Sequence, residues 1–514
     1  MKKRILTTLL VLAVMFTMCF GTTGMAYAAE TPEGTPIATL EELKAIENDP
    51  YGKYYLTADI EIPEGFTLFK YEYPPKTAFY GTLDGNGHKL IGITFNHNGG
   101  YIQGSALFGK CSGATFKNLT LSDININISS DAGMKFGVLT YWADNGCTFE
   151  KITLEGTVNL SGINDRAGYS FGGLSTYIVD AKAITSCKSK LDINANIVTG
   201  TYALGTVQIA GLSSFISKGA TVKSCSNTGD ITFEGFATDL SILGVVNASQ
   251  IKFSSSRNSG DITVKLVDTG ESTRTVNVAG VTNKAETLTS CYNTGKIKVS
   301  GLNEGTANIA GVAGEAVSCT KSYNKGSVTV SGKVREAYIG GLLGRGATGN
   351  DKKLTKSYNK GKVSVSIKSG LTKVGGVAGE TYDTQNCYNT AAIASAVKGD
   401  HISIGGIAGN GYVVGGKITS CYNTGKITGE TQFRGSILGT YSGADIVSKR
   451  NIYNNYYTSS AKAYGNSTIT WKDWTAKATK VSAITAAKCP KLSTKTWTYS
   501  KDKKRMILKD NKEK

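Results

Sequence analysis

The chain has only three histidines among its 514 residues, and none of them stands in an H-E-x-x-H motif. His88, His97 and His401 are isolated from one another, and the cysteines are spaced about one repeat apart, so neither residue type shows the spacing of zinc ligands. The repeated segments carry no recurring pair of acidic residues. The sequence therefore predicts no metal site, no cofactor and no catalytic residue.

Long hydrophobic runs are absent after residue 28, and none approaches the roughly 18 uninterrupted apolar residues of a membrane-spanning helix. The single earlier run, 9–20, follows the basic stretch 2–4 and precedes Ala26-Tyr27-Ala28, which is typical of a signal-peptidase cleavage site. This arrangement predicts export, and a secreted or wall-associated protein without a transmembrane segment.

Proline is scarce and acidic residues are outnumbered. Seven prolines against 62 glycines suit a structure with many tight corners, and 57 basic against 39 acidic residues give a formal charge of +18. Such an excess favours salt-dependent association with acidic glycans or anionic wall polymers, although scattered lysines are also typical of a solvated surface. Only the tail, 501–514, is dense in lysine, which argues against a specific nucleic-acid site.

One short pattern recurs eleven times between residues 116 and 454: a small or apolar residue, a variable residue, and then usually asparagine. Three strand candidates separated by glycine and asparagine turns fit into each repeat of 30 to 38 residues. This period predicts an all-β fold, a parallel right-handed β-helix solenoid of about eleven coils with three short strands each, capped at both ends. The third positions of the pattern are Asn118, Lys151, Ser189, Asn227, Asn258, Asn293, Asn324, Asn359, Asn389, Asn423 and Asn454.

The two ends of the chain depart from the repeat and are predicted to cap the open strand edges of the solenoid. Thr39-Leu40-Glu41-Glu42 reads as a capping box that opens a short helix through about Asn48, and 54–62 reads as the first strand. Trp471, Trp474, Trp497 and Met506 supply bulky apolar cover at the other end. The predicted division is 1–28 signal peptide, 29–78 N-terminal cap with a short helix, 79–458 β-helix, and 459–514 C-terminal cap and basic tail.

Side chains alternate between the two faces of a strand, so the small and apolar positions of the pattern are predicted to point inward. The asparagines are predicted to close a corner and to stack as a structural ladder of amides. We expect the nine cysteines after residue 28 to be buried free thiols; bridges between Cys187 and Cys225, or between Cys387 and Cys421, are the alternative. The ladder positions are Asn227, Asn258, Asn293, Asn324, Asn359, Asn389, Asn423 and Asn454.

Tyrosine fills the variable position of the last six repeats, which predicts an outward strip of aromatic rings along the rod. Flat rings with polar tips can stack on sugar faces, so the strip is a hypothetical binding site for a glycan or a wall polymer. Cross-strand stacking that only stabilises the sheet is the alternative interpretation. The residues are Tyr292, Tyr323, Tyr358, Tyr388, Tyr422 and Tyr453.

Gly311-Val312-Ala313-Gly314, its equivalents at 376–379 and 406–409, and Cys-Tyr-Asn-Thr-Gly at 291–295 and 421–425 resemble the GLUG-motif repeat. The resemblance covers about 80–457. It implies a β-helical extracellular scaffold of the kind found in bacterial surface proteins, in adhesins and beside the zinc domain of some immunoglobulin A-specific metallopeptidases. It brings no catalytic residue with it, and peptidase activity is not implied.

These observations lead to the hypothesis of an exported, monomeric, non-enzymatic scaffold that acts as an adhesin-like binding protein at the cell surface. A polysaccharide lyase or glycoside hydrolase is one alternative, and clustered carboxylates in a groove would favour it. A passive structural stalk is the second, and a surface with neither carboxylates nor exposed aromatic rings would favour that. The early coils contain the dispersed acids Asp123, Asp131, Asp144, Asp165 and Asp180.

Overall fold

The computed structural model describes residues 32–72, 77–164, 167–199, 205–217, 219–249, 251–346, 352–368, 370–398, 401–412, 417–442, 452–465 and 478–513. The predicted signal peptide lies outside these described residues, and so do Trp471, Trp474 and Asp165.

The described residues form a parallel β-solenoid of about 11 turns, and the predicted all-β fold class is confirmed. Each turn contributes strands to three long parallel sheets that run the length of the rod, and a two-stranded antiparallel hairpin follows near the C-terminus. Aliphatic and aromatic side chains from all three sheets fill the interior as one continuous core. Each coil therefore buries its apolar face against the coils before and after it.

The first sheet contains 23 strands among the described residues. They are Thr35–Ile37, Lys53–Leu56, Thr82–Asp84, Phe108–Ser112, Thr115–Lys117, Thr140–Asp144, Thr148–Glu150, Ser175–Ile178, Ala183–Thr185, Ser213–Ile216, Thr221–Lys223, Val246–Ala248, Ile251–Ser254, Thr282–Thr289, Ala313–Thr320, Leu343–Gly346, Leu354–Thr355, Ala378–Thr381, Thr384–Gln385, Ala408–Tyr412, Ile418–Thr419, Leu438–Ser442 and Ile452–Tyr453.

The second sheet is built from strands that mostly follow the corner after the first sheet. They are Ile60–Glu61, Lys89–Ile91, Thr94–Gly99, Thr120–Ser130, Thr153–Asn164, Lys188–Thr199, Ser226–Asn227, Ile231–Phe236, Arg257–Asn258, Ile262–Leu266, Tyr292–Asn293, Ile297–Leu302, Tyr323–Asn324, Val328–Gly332, Tyr358–Asn359, Val363–Ile367, Tyr388–Asn389, Ile393–Lys398, Tyr422–Asn423, Ile427–Glu430, Asn455–Tyr457 and Ala478–Lys480.

The third sheet has one strand per coil, and the hairpin pairs Trp497–Ser500 with Arg505–Leu508. The strands of the third sheet are Ile102–Ser105, Met134–Gly137, Tyr169–Gly172, Thr206–Ala210, Asp239–Leu243, Thr275–Ala279, Thr306–Ala310, Glu336–Gly340, Leu371–Gly375, Ile402–Gly405 and Arg434–Gly435.

The N-terminal helix begins as the sequence predicts. Thr39 accepts a hydrogen bond from the backbone N–H of Glu42, and the Glu42 carboxylate accepts one from the N–H of Thr39, which completes a capping box. An α-helix covers Leu40–Ala45, and a 3₁₀ turn covers Ile46–Asn48. The predicted first strand over 54–62 is instead two strands, and Thr35–Ile37 precedes both.

The corner between the first and second sheets lies three residues before the asparagine column. One residue per coil adopts a left-handed backbone there, with φ between +49° and +57°. This register corrects the repeat alignment at both ends, because Asn118, Lys151 and Asn454 are corner residues and not members of the asparagine column. The corner residues are Asn118, Lys151, Ser186, Ser224, Ser255, Ser290, Lys321, Lys356, Asn386, Ser420 and Asn454.

The position after the corner points inward, as predicted, and is filled by cysteine or serine in most coils. Cys291, Ser322 and Ser357 are fully buried and stacked on one another. The Ser322 hydroxyl accepts a hydrogen bond from the N–H of Cys291 and donates to the carbonyl of Thr320, so it satisfies backbone groups that the corner removes from the sheets. All nine cysteines after residue 28 are buried unpaired thiols. Burial raises the pKa of Cys291 to about 12, which keeps this thiol protonated and unreactive.

An inner ladder of seven asparagines runs through the core. The amide nitrogens of the first six donate to the amide oxygen of the next coil at 2.8 to 2.9 Å, and all seven donate to a backbone carbonyl two residues on. The members are fully buried, and their buried polar atoms are satisfied chiefly by one another. Asn454, predicted as the eighth, is absent from the ladder because its place in the column is taken by Tyr457. The members are Asn227, Asn258, Asn293, Asn324, Asn359, Asn389 and Asn423.

In the seven coils that carry the asparagine ladder, the residue directly after the third-sheet strand is a glycine that faces the ladder. A Cβ added at Gly341 would overlap the carbonyl oxygen of Gly376 and the amide of Asn359, and Gly311 is placed in the same way against Asn324. The asparagine amide thus occupies the volume that a side chain at the glycine would need. This close approach explains why glycine recurs in these coils in step with asparagine.

Candidate functional site

The tyrosine column forms a stack on the outside of the second sheet. Successive rings lie 4.7 to 5.0 Å apart between centroids and are within 11° of parallel. Tyr292 begins the stack and Tyr422 ends it, and Tyr456 occupies the same register position in the next coil, where it pairs with Tyr422. Tyr453, predicted as the sixth member, is a first-sheet residue that pairs with Thr419 and is 40% exposed. The tyrosine ladder is therefore Tyr292, Tyr323, Tyr358, Tyr388, Tyr422 and Tyr456.

The prediction that this strip is exposed is wrong for most of its length. Tyr358, Tyr388 and Tyr422 have no exposed surface, and Tyr323 is 7% exposed. The tyrosines do point away from the solenoid core, as the strand alternation requires. They are covered by residues 481–513, here called the C-terminal strap, which folds back along the side of the rod.

The strap buries a row of apolar side chains against the tyrosine ladder. Trp497 is 1% exposed and lies 5.4 Å from the ring of Tyr422 and 5.9 Å from that of Tyr388. The predicted apolar cover by Trp497 and Met506 therefore exists, but it lies along the side of the rod and contacts the ladder. The apolar residues of the strap are Ile484, Cys489, Leu492, Trp497, Met506 and Leu508.

Polar contacts fix the end of the strap in place. The fully buried carboxylate of Glu513 contacts Lys360 at 2.8 Å, the Tyr388 hydroxyl at 2.7 Å and Arg505 at 2.7 Å. Burial raises the pKa of Glu513, but the hydrogen bonds from Lys360 and Tyr388 and the charge of Arg505 outweigh it, so the net shift is downward. The Tyr422 hydroxyl donates to the carbonyl of Met506 at 2.6 Å. The strap is therefore held by both apolar packing and buried charge.

A groove lies on another side of the rod, between the outer faces of the first and third sheets. It is open beside Phe215, and in the late coils its walls close over Glu380 and Asn410, which are buried. One wall is the third-sheet column that follows the register of Gln103, Lys135, Ser170, Gln208, Ser241, Asn277, Asn308, Tyr338, Lys373 and Ser403. The other wall is the first-sheet column with Lys110, Trp142, Tyr177 and Phe215 in the early coils and Lys284, Glu315, Arg345, Glu380 and Asn410 in the later ones. We call it the intersheet groove.

The early part of the intersheet groove presents an aromatic platform made of Trp142, Tyr177 and Phe215. Their ring centroids are 5.3 and 5.9 Å apart, and the rings are tilted by 43° and 58° to one another. Phe215 is 38% exposed, and the other two rings are half-buried. Tilted rings do not cover each other's faces as stacked rings do. Tyr71 stacks against Trp142 at 6.2 Å between centroids, and the Lys110 ammonium lies 5.3 Å from the Trp142 ring, so Phe215 is the most open ring of the platform.

The middle of the groove is polar. A cavity of about 390 Å³ opens beside Phe215 and is lined chiefly by amide and hydroxyl groups. Asn308 donates to the Asn277 amide oxygen at 3.1 Å. The arrangement places hydrogen-bonding side chains next to an aromatic face. The polar lining includes Gln208, Ser241, Asn247, Asn277 and Asn283.

The late part of the groove is a network of paired charges. Lys373 contacts Glu336 at 3.2 Å and Glu380 at 2.9 Å, and the Tyr338 ring lies between Lys373 and Arg345 at 4.5 and 4.7 Å from its centroid. Burial raises the pKa of Glu336, but hydrogen bonding from Tyr338 and the charge of Lys373 lower it more, so this carboxyl is ionised. A hydrolase needs a protonated carboxyl and a free one. In this network Lys373 forms an ion pair with both Glu336 and Glu380, which is typical of a network that stabilises the fold.

A second depression, of about 450 Å³, lies on the outer face of the second sheet in the early coils. An exposed ladder crosses it, in which Asn127, Asn159 and Asn194 each donate to the amide oxygen of the coil before at 2.9 to 3.1 Å. Among the described residues its lining contains no phenylalanine, tyrosine or tryptophan, and His97 supplies its one ring. The amides are largely occupied with one another, so this surface is the weaker candidate for a binding site.

The described residues contain no group of three or more histidine, cysteine or acidic side chains placed to hold a metal ion. Over the same described ranges, no helix is long and apolar enough to cross a membrane. Of the early acids, Asp144 pairs with Lys110 and accepts from the Trp142 indole, while Asp123, Asp131 and Asp180 are exposed.

Sequence reasoning missed the intersheet groove because aromatic residues fill this position of the repeat in only three of the described coils. Trp142, Tyr177 and Phe215 occupy a single column of the first sheet, yet lysine, asparagine and glutamate fill that column in other coils. The signal that could have found them is their spacing of 35 and 38 residues, which matches one coil. The tyrosine ladder drew attention because its residue type repeats.

Comparisons with known proteins find partial likenesses, and no family model matches the chain. Halomucin of Haloquadratum walsbyi is 30% identical over 164 residues, which are 28% of this chain and 2% of halomucin. Immunoglobulin A1 protease of Streptococcus sanguinis is 25% identical over 198 residues, which are 37% of this chain and 9% of the protease. A solved structure of an IgA1 protease aligns with 65% of this chain and 22% of its own, at 19% identity and a TM-score of 0.35. The chain thus matches a small part of either curated relative.

Proposed function

We propose that this protein is an exported β-solenoid scaffold that binds an extracellular glycan along the intersheet groove. The observation that carries the proposal is the open aromatic platform of Trp142, Tyr177 and Phe215 beside a polar cavity. Pyranose rings have an apolar face and a hydroxyl-bearing rim, so they fit an aromatic surface flanked by amides and hydroxyls. The groove runs parallel to the rod, which suits an extended polymer.

The placement of this function outside the cell rests on the predicted signal peptide and on the resemblance to the GLUG repeat. The partial similarity to halomucin and to immunoglobulin A1 protease is compatible with such a role but covers a small part of either protein. The six-residue tyrosine strip of the sequence hypothesis is a poorer binding surface, because a glycan could reach Tyr358, Tyr388 and Tyr422 only after displacement of the strap.

A glycan-array screen of residues 29–514 tests the proposal. The ligand found should then bind more weakly to a variant with Trp142→Ser, Tyr177→Ser and Phe215→Ser, by about 1 kcal/mol for each ring lost from a sugar face. The control carries Tyr51→Ser and Tyr80→Ser, which removes an exposed stacked pair with centroids 4.6 Å apart outside the groove. Thermal unfolding checks that both variants are folded. Equal retention of the glycan by both variants would remove the groove from the proposal, and a screen without any hit would favour the passive stalk.

A further inference from the structure

Nearly every cation on the walls of the intersheet groove has an acidic partner. The pairs join opposite charges within one coil or between neighbouring coils, so the charged part of the groove is close to neutral. They are Lys110 with Asp144, Lys284 with Glu315, Arg345 with Glu380, and Lys373 with Glu336 and Glu380.

Lys135 is the exception. Its ammonium group lies 5.7 Å from the centroid of the Tyr177 ring and hydrogen-bonds the hydroxyls of Tyr101 and Tyr177, and it forms no ion pair with a carboxylate of the described ranges. Lys135 stands in the third-sheet column between Gln103 and Ser170, so it faces the aromatic platform from the opposite wall. The side chain is half-buried, and the charge is therefore screened less by solvent than that of a fully exposed lysine.

This combination places one unpaired positive charge beside the only aromatic platform that the described part of the groove contains. A neutral glycan would gain little from the charge. A sugar that carries a carboxylate would gain a charge-assisted hydrogen bond while its ring stacks on the platform. The overall excess of basic residues, +18 over the chain, attracts the same class of ligand at longer range.

We infer that Lys135 selects carboxylated glycans, such as polymers of uronic acids, for the platform formed by Trp142, Tyr177 and Phe215. This inference rests on the proposed function of the groove. A sugar ring lies against the platform, and its carboxylate accepts a hydrogen bond from the Lys135 ammonium. The alternative is that Lys135 only stabilises Tyr177 through a cation–π contact, in which case ligand charge makes no difference at this position.

The test compares an oligogalacturonate with its full methyl ester, which has the same sugar rings but no charge and one added methyl per residue, by calorimetry at low and at physiological salt. The wild-type protein should bind the oligogalacturonate about tenfold more tightly than the ester, as expected for one partly buried charged hydrogen bond. Lys135→Gln should bring both affinities to the level of the ester. Lys265→Gln, an exposed lysine of the second sheet paired with Glu234, serves as the control for the loss of one positive charge and should preserve the difference.

Equal binding of the two ligands by the wild-type protein would overturn the inference and leave the proposed function standing. Binding of neither ligand, with neutral glycans retained on the array, would also overturn it. Tighter binding of a poly(glycerol phosphate), which has no sugar ring to stack, would overturn it as well. A failure of the proposed function looks different, because the triple variant of the platform would then retain every glycan that the wild-type protein binds.

Discussion

The attachment of the C-terminal strap depends on Trp497, and its removal tests how the tyrosine ladder is buried. Trp497 is 1% exposed, packs against Tyr388 and Tyr422, and donates from its indole nitrogen to the Asn386 amide oxygen at 3.1 Å. Replacement of a fully buried tryptophan by alanine costs about 3–5 kcal/mol. Trp497→Ala should therefore weaken the strap by this amount.

The expected result is local. Coils of a solenoid interact mainly with their neighbours, so the early coils, far from the strap, should keep their stability. Hydrogen exchange should show that amides of 481–513 lose about 10²- to 10⁴-fold of their protection, which corresponds to 3–5 kcal/mol. Amides of the long strands Thr153–Asn164 and Lys188–Thr199 should exchange at unchanged rates. Tyr499→Ala, in the same hairpin but 46% exposed, is the matched control and should change protection little.

Two outcomes would refute the reasoning. Unchanged protection of the strap in Trp497→Ala would mean that the tryptophan does not hold it. Equal loss of protection in the strap and in the early coils would mean that the rod unfolds as one unit, contrary to nearest-neighbour stabilisation. If the strap opens alone, the phenolic groups of Tyr388 and Tyr422 should ionise at lower pH than in the wild-type protein, because burial under the closed strap raises their pKa.

Three further predictions concern the stability of the rod. Asn324→Ala should lower the free energy of unfolding by about 2–4 kcal/mol in urea titrations, because it removes one buried hydrogen bond from Asn293 and one from Asn359 and leaves a cavity between them. Asn159→Ala in the exposed ladder should cost less than about 1 kcal/mol. Gly341→Ala should strongly lower the melting temperature because its Cβ would overlap Asn359, while Gly100→Ala, with open space around it, should not. Alkaline pH should release the strap, as measured by hydrogen exchange of its amides. Below their raised pKa values, Tyr358, Tyr388 and Tyr422 ionise only in the state in which the strap is detached. The free energy that holds the strap in place therefore falls above about pH 10, by about 4 kcal/mol per pH unit for the three tyrosines together. An Asn159→Ala variant as unstable as Asn324→Ala, a tolerated Gly341→Ala, or a strap equally protected well above pH 10 would contradict these expectations.

The architecture could be predicted from the sequence because each coil repeats a local pattern. Alternation within short strands gave the inward direction of Cys291, Ser322 and Ser357, and the period gave the stacking. The predicted register was wrong where the pattern was weakest, at Asn118, Lys151 and Asn454, which are corner residues. Asparagine suits both a left-handed corner and an inner ladder, so Asn118 and Asn454 could be assigned to either. A motif based on residue type alone cannot tell these two uses apart.

The exposure of the tyrosine ladder could not be predicted because it depends on contacts between residues far apart in the chain. Glu513 contacts Lys360 and Tyr388, which are 153 and 125 residues away. Strand alternation states which face of a sheet a side chain occupies, but it does not state whether another segment covers that face. The parallel stack by itself already limits exposure, because rings 4.7 to 5.0 Å apart bury their faces against each other even without the strap.

The same geometric contrast separates the structural tyrosine column from the proposed binding surface of this rod. The tyrosine ladder has nearly parallel rings that bury their faces against one another, and the strap covers the ring edges. The platform of Trp142, Tyr177 and Phe215 has rings tilted by 43° and 58°, and although Tyr71 stacks against Trp142, apolar surface stays open at Phe215, which is 38% exposed. Open aromatic surface in water is unfavourable for the isolated protein, and a ligand that covers it recovers this free energy. In this β-solenoid, irregular aromatic residues on an open groove are therefore better evidence for binding than a perfectly repeated column.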